Sequence, residues 1–394
     1  MWSSNYEYNR VMAGLIELCF SDGLLTVKDI ASSLGVSLSY AYFLLKRLRR
    51  DLNFTIRAKP YYEKLGLRFA PCFMSVSSLS TKKALLEVFA SLEYTLYAAP
   101  CDGHVRGLYF DFVVPMGCEG ELLALLEFCS SSGLIDNYSL YFTSSPNNVV
   151  MGFEWYDFAS HQWVYRWQEL VDDVVKRADD SGFEFRALAL GYEQAGTAKI
   201  DWLDLLILHH LELDIFTSLK SMASVAGVTP QDMGYHFKNH VVKRGLVKVV
   251  RPYWVHVPLQ NLCMGVIDLR FSKLSCLEGF IKALNRKPIA YSYTYYQVDS
   301  SPSILLGCAM PFKEFSMFMS CLDELRSLGL LKEFRELFLD IENSRGRALP
   351  YELFREGRWI YDIESCFSKL ASMAEAQRVE AKFARAAERA MESK

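Results

Sequence analysis

The sequence predicts an α+β fold in which one module, a winged helix-turn-helix followed by a ferredoxin-like β-α-β-β-α-β domain, occurs twice. Three observations support this prediction: a helix-turn-helix pattern over residues 26–50, a change to mixed strand and helix periodicity near residue 72, and a recurrence of both patterns in the second half. The chain has 394 residues, too many for one ordinary core. Its 51% content of hydrophobic residues favours globular domains over disorder.

Residues 26–50 have the pattern of two helices joined by a tight turn. Thr26 is a candidate N-cap, and Asp29 follows at the capping-box position. Gly35 suits a turn with positive φ, and Ser37 is a candidate N-cap for the second helix. Four apolar residues of that helix recur at helical spacing and predict a buried stripe: Ala41, Leu44, Leu45 and Leu48. Residues 11–20 predict a preceding helix, and residues 53–60 predict the wing or the strand that leaves it.

From residue 72 the periodicity becomes that of a sheet-and-helix domain. The predicted elements are a strand at 72–76, a helix capped by Ser80 or Thr81 and running through residue 89, strands at 94–99 and 107–114, a helix at 120–129 and a strand at 135–142. This β-α-β-β-α-β order is the ferredoxin-like arrangement. Its two helices cover one face of the sheet and leave the other face for a partner sheet or a ligand.

The same residues recur in the second half at nearly constant spacing. Matched residues of the helix-turn-helix lie 192 positions apart, and those of the sheet domain and its aromatic extension lie 196 apart. The pairs include Asp22/Asp214, Ala31/Ala223, Gly35/Gly227, Lys46/Lys238, Pro115/Pro311, Phe158/Phe354, Trp163/Trp359 and Tyr165/Tyr361. Unrelated domains would not keep this order and spacing, so we infer a tandem duplication of a module of roughly 195 residues.

The duplication sets the predicted domain boundaries. They are a winged helix-turn-helix at 1–60, a ferredoxin-like domain with an aromatic extension at 61–176, a linker at 177–198, a second winged helix-turn-helix at 199–258, a second ferredoxin-like domain with its extension at 259–371, and a charged C-terminal helix at 372–394. In the second copy, residues 245–257 predict a wing-like hairpin.

Composition excludes several classes of protein. The net charge of −3 excludes a polycation that coats nucleic acid indiscriminately, yet residues 1–70 hold ten Lys and Arg against six Asp and Glu. Ten scattered cysteines form no C-x-x-C pair, and we find no His/Cys cluster at metal spacing. There is no signal peptide and no bilayer-length apolar run, which predicts a cytoplasmic protein with reduced thiols. No catalytic motif or phosphate loop stands out, so we predict a non-enzyme without metal or cofactor.

A helix-turn-helix followed by a β-α-β-β-α-β domain resembles the Lrp/AsnC (feast/famine) transcription regulators of bacteria and archaea. The residues that carry the resemblance are the turn segment 30–36, the second helix 37–50 and the exit segment 56–67. The resemblance implies pairing through the connecting strands and the open sheet faces, double-stranded DNA as the partner, and a small effector at the sheet interface. Because this chain holds two copies, it implies an intramolecular pseudo-dimer, which could pair again as a homodimer.

The predicted DNA contacts lie on the two second helices and the strands that follow them. In the first copy they are Ser37, Ser39, Tyr42, Lys46, Arg47, Arg50, Arg57 and Lys59; in the second they are Thr229, Gln231, Tyr235, Lys238, Lys243, Arg244 and Arg251. The second helix of copy two carries an acid early and fewer bases, so we expect weaker binding there. His236 falls where Leu44 packs in copy one. It is interpreted as a hydrogen-bonded residue at the core edge, or as a pH-sensing or DNA-contacting residue.

Two alternatives remain open. The architecture is also similar to siroheme decarboxylase subunits, which would need cationic or His groups for propionates; the candidates are His104, Arg106, His161, Arg270 and Arg286. A role as a protein-interaction factor of the transcription machinery would use the aromatic stretches 109–112 and 291–296.

Overall fold

The computed structural model describes residues 11–12, 14–15, 18–19, 24–52, 54–143, 147–148, 155–157, 162–178, 197–253, 262–286, 294–297 and 301–392. The chain forms an α+β fold with two compact units. One unit consists of residues 1–66 and 143–338, and the other of residues 67–142 and 339–394. Each helix among the described residues is too short or too polar to cross a bilayer.

The first unit contains both helix-turn-helix heads. Head one has α1 (Val27–Leu34) and α2 (Leu38–Leu52), after the helical residues 11–12, 14–15 and 18–19. Head two has α6 (Trp202–Leu213), α7 (Leu219–Ala226) and α8 (Pro230–His236), and α8 continues as a π-helical segment, Phe237–Val242.

The local signals that predicted head one are confirmed. The Thr26 hydroxyl accepts from the amide of Asp29, whose carboxylate accepts from the amide of Thr26. Gly35 has φ 65°, the left-handed conformation expected of the turn. The Ser37 hydroxyl accepts from the amide of Tyr40, which makes it the N-cap of α2.

The strands that leave the two heads pair with each other. β1 (Thr55–Pro60) runs antiparallel to β9 (Val247–Tyr253), and Ala58 lies opposite Val250. These two residues are 192 positions apart, the spacing of the repeat. Equivalent residues lie directly opposite each other only where a two-fold axis relates the strands. The two copies therefore pair through their connecting strands like the subunits of a dimer at this point, the arrangement expected from the resemblance.

This pairing replaces the predicted wings. β1 does not fold back on itself, so residues 53–60 provide the connecting strand, the second of the two alternatives given for them. The hairpin predicted for residues 245–257 is wrong over its described part, because Val247–Tyr253 is a single strand whose partner is β1. Residues 254–257 lie outside the described residues.

The first unit also holds the sheet domain of copy two. Its elements are β10 (Leu262–Phe271), α9 (Leu274–Arg286), β11 (Thr294–Gln297), β12 (Ser303–Pro311), α10 (Phe312–Ser327) and β13 (Leu331–Leu339). The strand order is β13-β10-β12-β11, followed by the short β6 (Asn147–Asn148). The predicted β-α-β-β-α-β order is confirmed.

The second unit holds the sheet domain of copy one. Its elements are β2 (Leu67–Ser75), α3 (Leu79–Ser91), β3 (Thr95–Gly103), β4 (Gly107–Pro115), α4 (Glu119–Ser131) and β5 (Asn137–Leu140). The strand order β5-β2-β4-β3 matches that of copy two position for position. The cap of α3 is Ser78, whose hydroxyl accepts from the amide of Thr81, instead of the predicted Ser80 or Thr81.

The aromatic extension of copy one packs on the sheet domain of copy two. It contains β7 (Tyr156–Asp157), β8 (Gln162–Trp163) and α5 (Trp167–Ala178), a helix that the sequence did not predict. The Trp167 indole donates to Glu314 at 2.8 Å, and its ring centroid lies 5.2 Å from that of Phe318. Trp167 and three apolar residues of α5 are buried in the same core as α9 and α10.

The aromatic extension of copy two packs on the sheet domain of copy one. It contains β14 (Arg345–Gly346), β15 (Phe354–Arg355), β16 (Arg358–Trp359) and α11 (Glu364–Glu392), which begins earlier than the predicted 372. The Tyr94 hydroxyl donates to the carbonyl of Ile360 at 2.8 Å, and the rings of Phe128 and Phe367 lie 4.7 Å apart. The two copies therefore exchange their extensions. Residues 179–196, most of the predicted linker, lie outside the described residues.

Candidate nucleic-acid interface

The second helix of head one, α2, has one buried face and one exposed face. Its predicted apolar stripe is buried: Ala41, Leu44 and Leu48 are 0% exposed and Leu45 is 5% exposed. On the other side Ser39, Tyr42, Lys46 and Arg50 are all exposed, at the spacing of one helical stripe. Tyr40 stacks on Phe43 beside this stripe, with ring centroids 6.0 Å apart. The exposed face therefore combines hydroxyl, aromatic and cationic groups.

The other cations of α2 lie nearer the protein. Arg47 is half-buried. Arg49 donates to both carboxylate oxygens of Asp214, at 2.7 and 3.0 Å, and its guanidinium lies over the ring of Phe216. Both contacts are made by one guanidinium nitrogen, Nη2, and they are charge-assisted hydrogen bonds. They tie α2 to the loop after the first helix of head two.

Lys59, a predicted phosphate contact, forms an ion pair with a buried carboxylate within the first unit. Its ammonium donates at 2.8 Å to Glu212, a residue that is 3% exposed, and the Tyr62 hydroxyl donates to the same oxygen at 2.7 Å. A buried carboxylate needs such partners because it has lost its hydration. Lys59 therefore compensates a buried carboxylate on α6.

Arg57 and Arg251 lie opposite each other in the β1–β9 pairing. Arg57 is half-buried, and the Arg251 side chain lies outside the described residues. Nearby, the Lys248 ammonium lies 5.2 Å from the centre of the Tyr61 ring, and burial lowers the pKa of this lysine.

The predicted contacts of head two divide into exposed and internally bonded groups. Gln231, Tyr235, Lys238 and Lys243 are exposed. The Thr229 hydroxyl accepts from the amide of Asp232 and donates to its carboxylate, so it serves as the N-cap of α8.

Arg244 also makes internal contacts. It donates to the carbonyl of Lys199 and lies 3.7 Å from the Asp204 carboxylate. Lys64, which follows β1 in the chain, donates to the carbonyls of Arg244 and Gly245 at 3.1 Å each. These two bonds cap the end of the π-helical segment.

A cavity of 720 Å³ lies between the two heads, within the first unit. Tyr42 of head one and Lys238 of head two both line it, so the second helices of the two heads approach the same groove. The rest of the lining is largely apolar, with Val27, Met222 and Phe237 among its residues.

Head two contains a cluster of titratable side chains that was not predicted from the sequence. The Nδ1 atoms of His236 and His240 each lie 2.9 Å from Oδ1 of Asp204, and Asp201 completes the group. The interpretation of His236 as a hydrogen-bonded residue is confirmed. The absence of a His/Cys cluster from the sequence gave no sign of this group, because two of its four members are aspartates. The available signal was two His at i, i+4 and two Asp at i, i+3 on neighbouring helices.

The candidate tetrapyrrole residues that the structure describes are His104, Arg106 and Arg270. His104 and Arg106 are exposed after β3, and Arg106 lies 3.5 Å from Asp102. Arg270 contacts Asp268 and Glu333. His161 and the side chain of Arg286 lie outside the described residues, as does most of the aromatic stretch 291–296.

No protein-family model matches the sequence, and no curated protein matches it. Among solved structures, the chain is similar to the siroheme decarboxylase NirDL, with 12% identity and a TM-score of 0.49 over 93% of this chain and 99% of that one. It is also similar to an AsnC family transcriptional regulator from Agrobacterium tumefaciens, with 16% identity and a TM-score of 0.27 over 34% of this chain and 88% of that one.

Proposed function

We propose that this protein binds double-stranded DNA as a transcription regulator, with α2 as its main reading helix. The observation that carries the proposal is the division of α2 into a fully buried apolar stripe and an exposed stripe of Ser39, Tyr42, Lys46 and Arg50. A helix-turn-helix uses the exposed side of its second helix to enter the major groove. Residues 1–70 also carry ten basic and six acidic residues in a chain of net charge −3.

The exposed groups suit distinct roles in the groove. Ser39, Tyr42 and Lys46 lie on the part of α2 that would approach base edges, where hydroxyl and ammonium groups read acceptor patterns. Arg47 and Arg50 lie nearer the helix end and would bind phosphates. Phosphate contacts set orientation and affinity, whereas the base contacts set sequence preference.

The second head adds a weaker contact. Its exposed cations, Lys238 and Lys243, follow an acidic first turn with Asp232. The local two-fold relation of β1 and β9 supports a site with approximate two-fold symmetry, because paired heads meet related half-sites. We expect the half-site bound by head one to tolerate fewer base changes than the half-site bound by head two.

Selection of duplexes from a random pool with the full chain, followed by fluorescence anisotropy, tests this proposal. We expect an enriched site, and a loss of affinity of about 10-fold or more for Lys46→Ala/Arg50→Ala, since each lost contact of this kind costs about 1 kcal/mol or more. Lys313→Ala/Lys332→Ala removes two exposed cations from the sheet domain and is the matched control. Absence of duplex binding would refute this proposal. If an iron tetrapyrrole also changed its absorbance on mixing with the protein, the tetrapyrrole-enzyme alternative would be favoured instead.

A further inference from the structure

Head two brings four potential metal ligands together. Asp201 and Asp204 lie at the start of α6, where Asp201 is the N-cap. His236 ends α8, and His240 lies in the π-helical segment that follows. The ligand atoms of all four residues lie within 4.8 Å of one another. π-helical turns are rare and occur often at functional sites.

The duplication shows that this cluster replaces an apolar core. The residues 192 positions earlier than Asp204, His236 and His240 are Met12, Leu44 and Leu48. In head one these are 3%, 0% and 0% exposed, and in head two Asp204 is 0% exposed. A carboxylate buried where a methionine packs is costly unless it is fully compensated. The polar set in head two therefore calls for a function that the apolar set of head one does not have.

The distances between the ligand atoms are close to those of a tetrahedral metal site, and the two shortest also fit hydrogen bonds. Zinc bonds to His nitrogen and carboxylate oxygen are about 2.0–2.2 Å, which places neighbouring ligand atoms of a tetrahedron about 3.3–3.5 Å apart. The nitrogen-to-oxygen distances are 2.9 Å for each histidine to Asp204, then 3.5 and 3.8 Å from His236 and His240 to Asp201. The Asp201 carboxylate is held by its N-cap bond, in which Oδ1 accepts from the amide of Asp204. Its other oxygen, Oδ2, lies 3.8 Å from Nδ1 of His240, beyond hydrogen-bond range but within the spread of ligand atoms around a shared ion.

The charge of the site also suits a divalent cation. Two carboxylates supply two negative charges, and the Arg244 guanidinium 3.7 Å from Asp204 balances one of them. The imidazoles bind metal in their neutral form. The mixture of two nitrogen and two carboxylate ligands favours Zn²⁺ over Mg²⁺ or Ca²⁺, which prefer oxygen ligands only.

We propose that Asp201, Asp204, His236 and His240 bind one Zn²⁺ ion. With four protein ligands the site is of the closed, structural kind. The ion would join the first helix of head two to its reading helix and fix the orientation of α8. The inference does not depend on DNA binding, because it concerns the core of the head and not its exposed face.

Calorimetric titration of the chelator-treated full chain with Zn²⁺ tests the proposal, and the visible spectrum of the Co²⁺ form reports tetrahedral geometry. We expect one ion per chain. His236→Leu/His240→Leu should weaken binding by about 100-fold or more, since even residues that only support metal ligands contribute about 10–100-fold. His104→Leu changes an exposed histidine of the other unit and should bind like the unaltered chain.

The double variant leaves Asp204 buried, so a second variant protects the test from misfolding. Asp204→Met/His236→Leu/His240→Leu restores the three residues that head one has at these positions. We expect it to fold, as judged by circular dichroism, and to lose Zn²⁺ binding and the rise in unfolding temperature that Zn²⁺ gives the unaltered chain. The proposal is overturned if the unaltered chain binds no Zn²⁺, or if the folded triple variant binds it with unchanged affinity.

Discussion

Replacing Lys59 with methionine should destabilise the first unit without weakening its DNA affinity. The Lys59 ammonium lies 2.8 Å from a carboxylate oxygen of Glu212, which is 3% exposed. Removing one partner of a buried ion pair typically costs about 3–5 kcal/mol, because the remaining charge stays buried. The Lys59 side chain is 23% exposed, so we expect a loss near the lower end, about 3 kcal/mol.

Thermal unfolding measured by circular dichroism would report this loss. For a unit of this size, 1 kcal/mol corresponds to about 2–4 °C, so Lys59→Met should lower the transition by about 6–12 °C. Tyr62→Phe removes one hydrogen bond to Glu212 and should cost less, about 1–2 kcal/mol. Lys332→Met, an exposed position on β13, is the control and should change little.

A double-mutant cycle separates the pair from its surroundings. Lys59→Met/Glu212→Met removes both charges, and replacing a buried ion pair with apolar residues is often close to neutral. We therefore expect the double variant to recover most of the loss. If Lys59→Met leaves stability unchanged but weakens duplex binding about 10-fold, Lys59 is a phosphate contact and the structural role is refuted.

Three further predictions concern packing and titration. Gly279→Ala in α9 should destabilise the first unit, because a Cβ there would lie 2.9 Å from the backbone nitrogen of Ala178. Gly120→Ala in α4 is the control: its Cβ meets nothing within 4 Å, so the variant should be neutral or stabilising in the same unfolding assay. The eight buried cysteines should react slowly with a thiol reagent at pH 8 in the native chain and quickly once it unfolds, because burial raises their pKa values, to about 12 for Cys129 and about 11 for Cys366. Cys118 and Cys263 are only partly buried, so rapid labelling of more than these two in the folded chain would contradict this. Burial lowers the pKa of His210, so as the pH falls the unfolded chain takes up a proton at this residue before the folded chain does. The unfolding temperature should therefore decrease as the pH is lowered below about 6.5. The decrease should be smaller for His210→Asn.

Features set by neighbouring residues could be predicted from the sequence. The Thr26 capping box, the Gly35 turn and the buried stripe from Ala41 to Leu48 depend on contacts within a few residues, and all were predicted correctly. The constant shift between copies also located the second head and its sheet domain, because a duplicated chain repeats its local patterns.

Features set by distant partners could not be predicted in the same way. The strand at 55–60 has an edge compatible with a hairpin or with another strand, and only the β1–β9 register decides between them. Trp167 has no sequence feature that indicates whether it packs on its own copy or on the other. Lys59 is read as a surface cation because Glu212, its partner, is 153 residues away.

The dependence of DNA affinity on salt tests the proposed interface most directly. With Lys59 and Arg244 set aside as internally bonded, the cations proposed to bind phosphates are Arg47, Arg50, Lys238 and Lys243. Each neutralised phosphate contributes about −0.9 to the slope of log affinity against log salt, so we expect a slope of about −3 to −4. Lys46→Ala/Arg50→Ala removes one of these four cations and should make that slope shallower by about 1. A duplex affinity that does not change with salt, or a slope unaffected by that variant, would contradict the assignment of α2 as the DNA-reading helix.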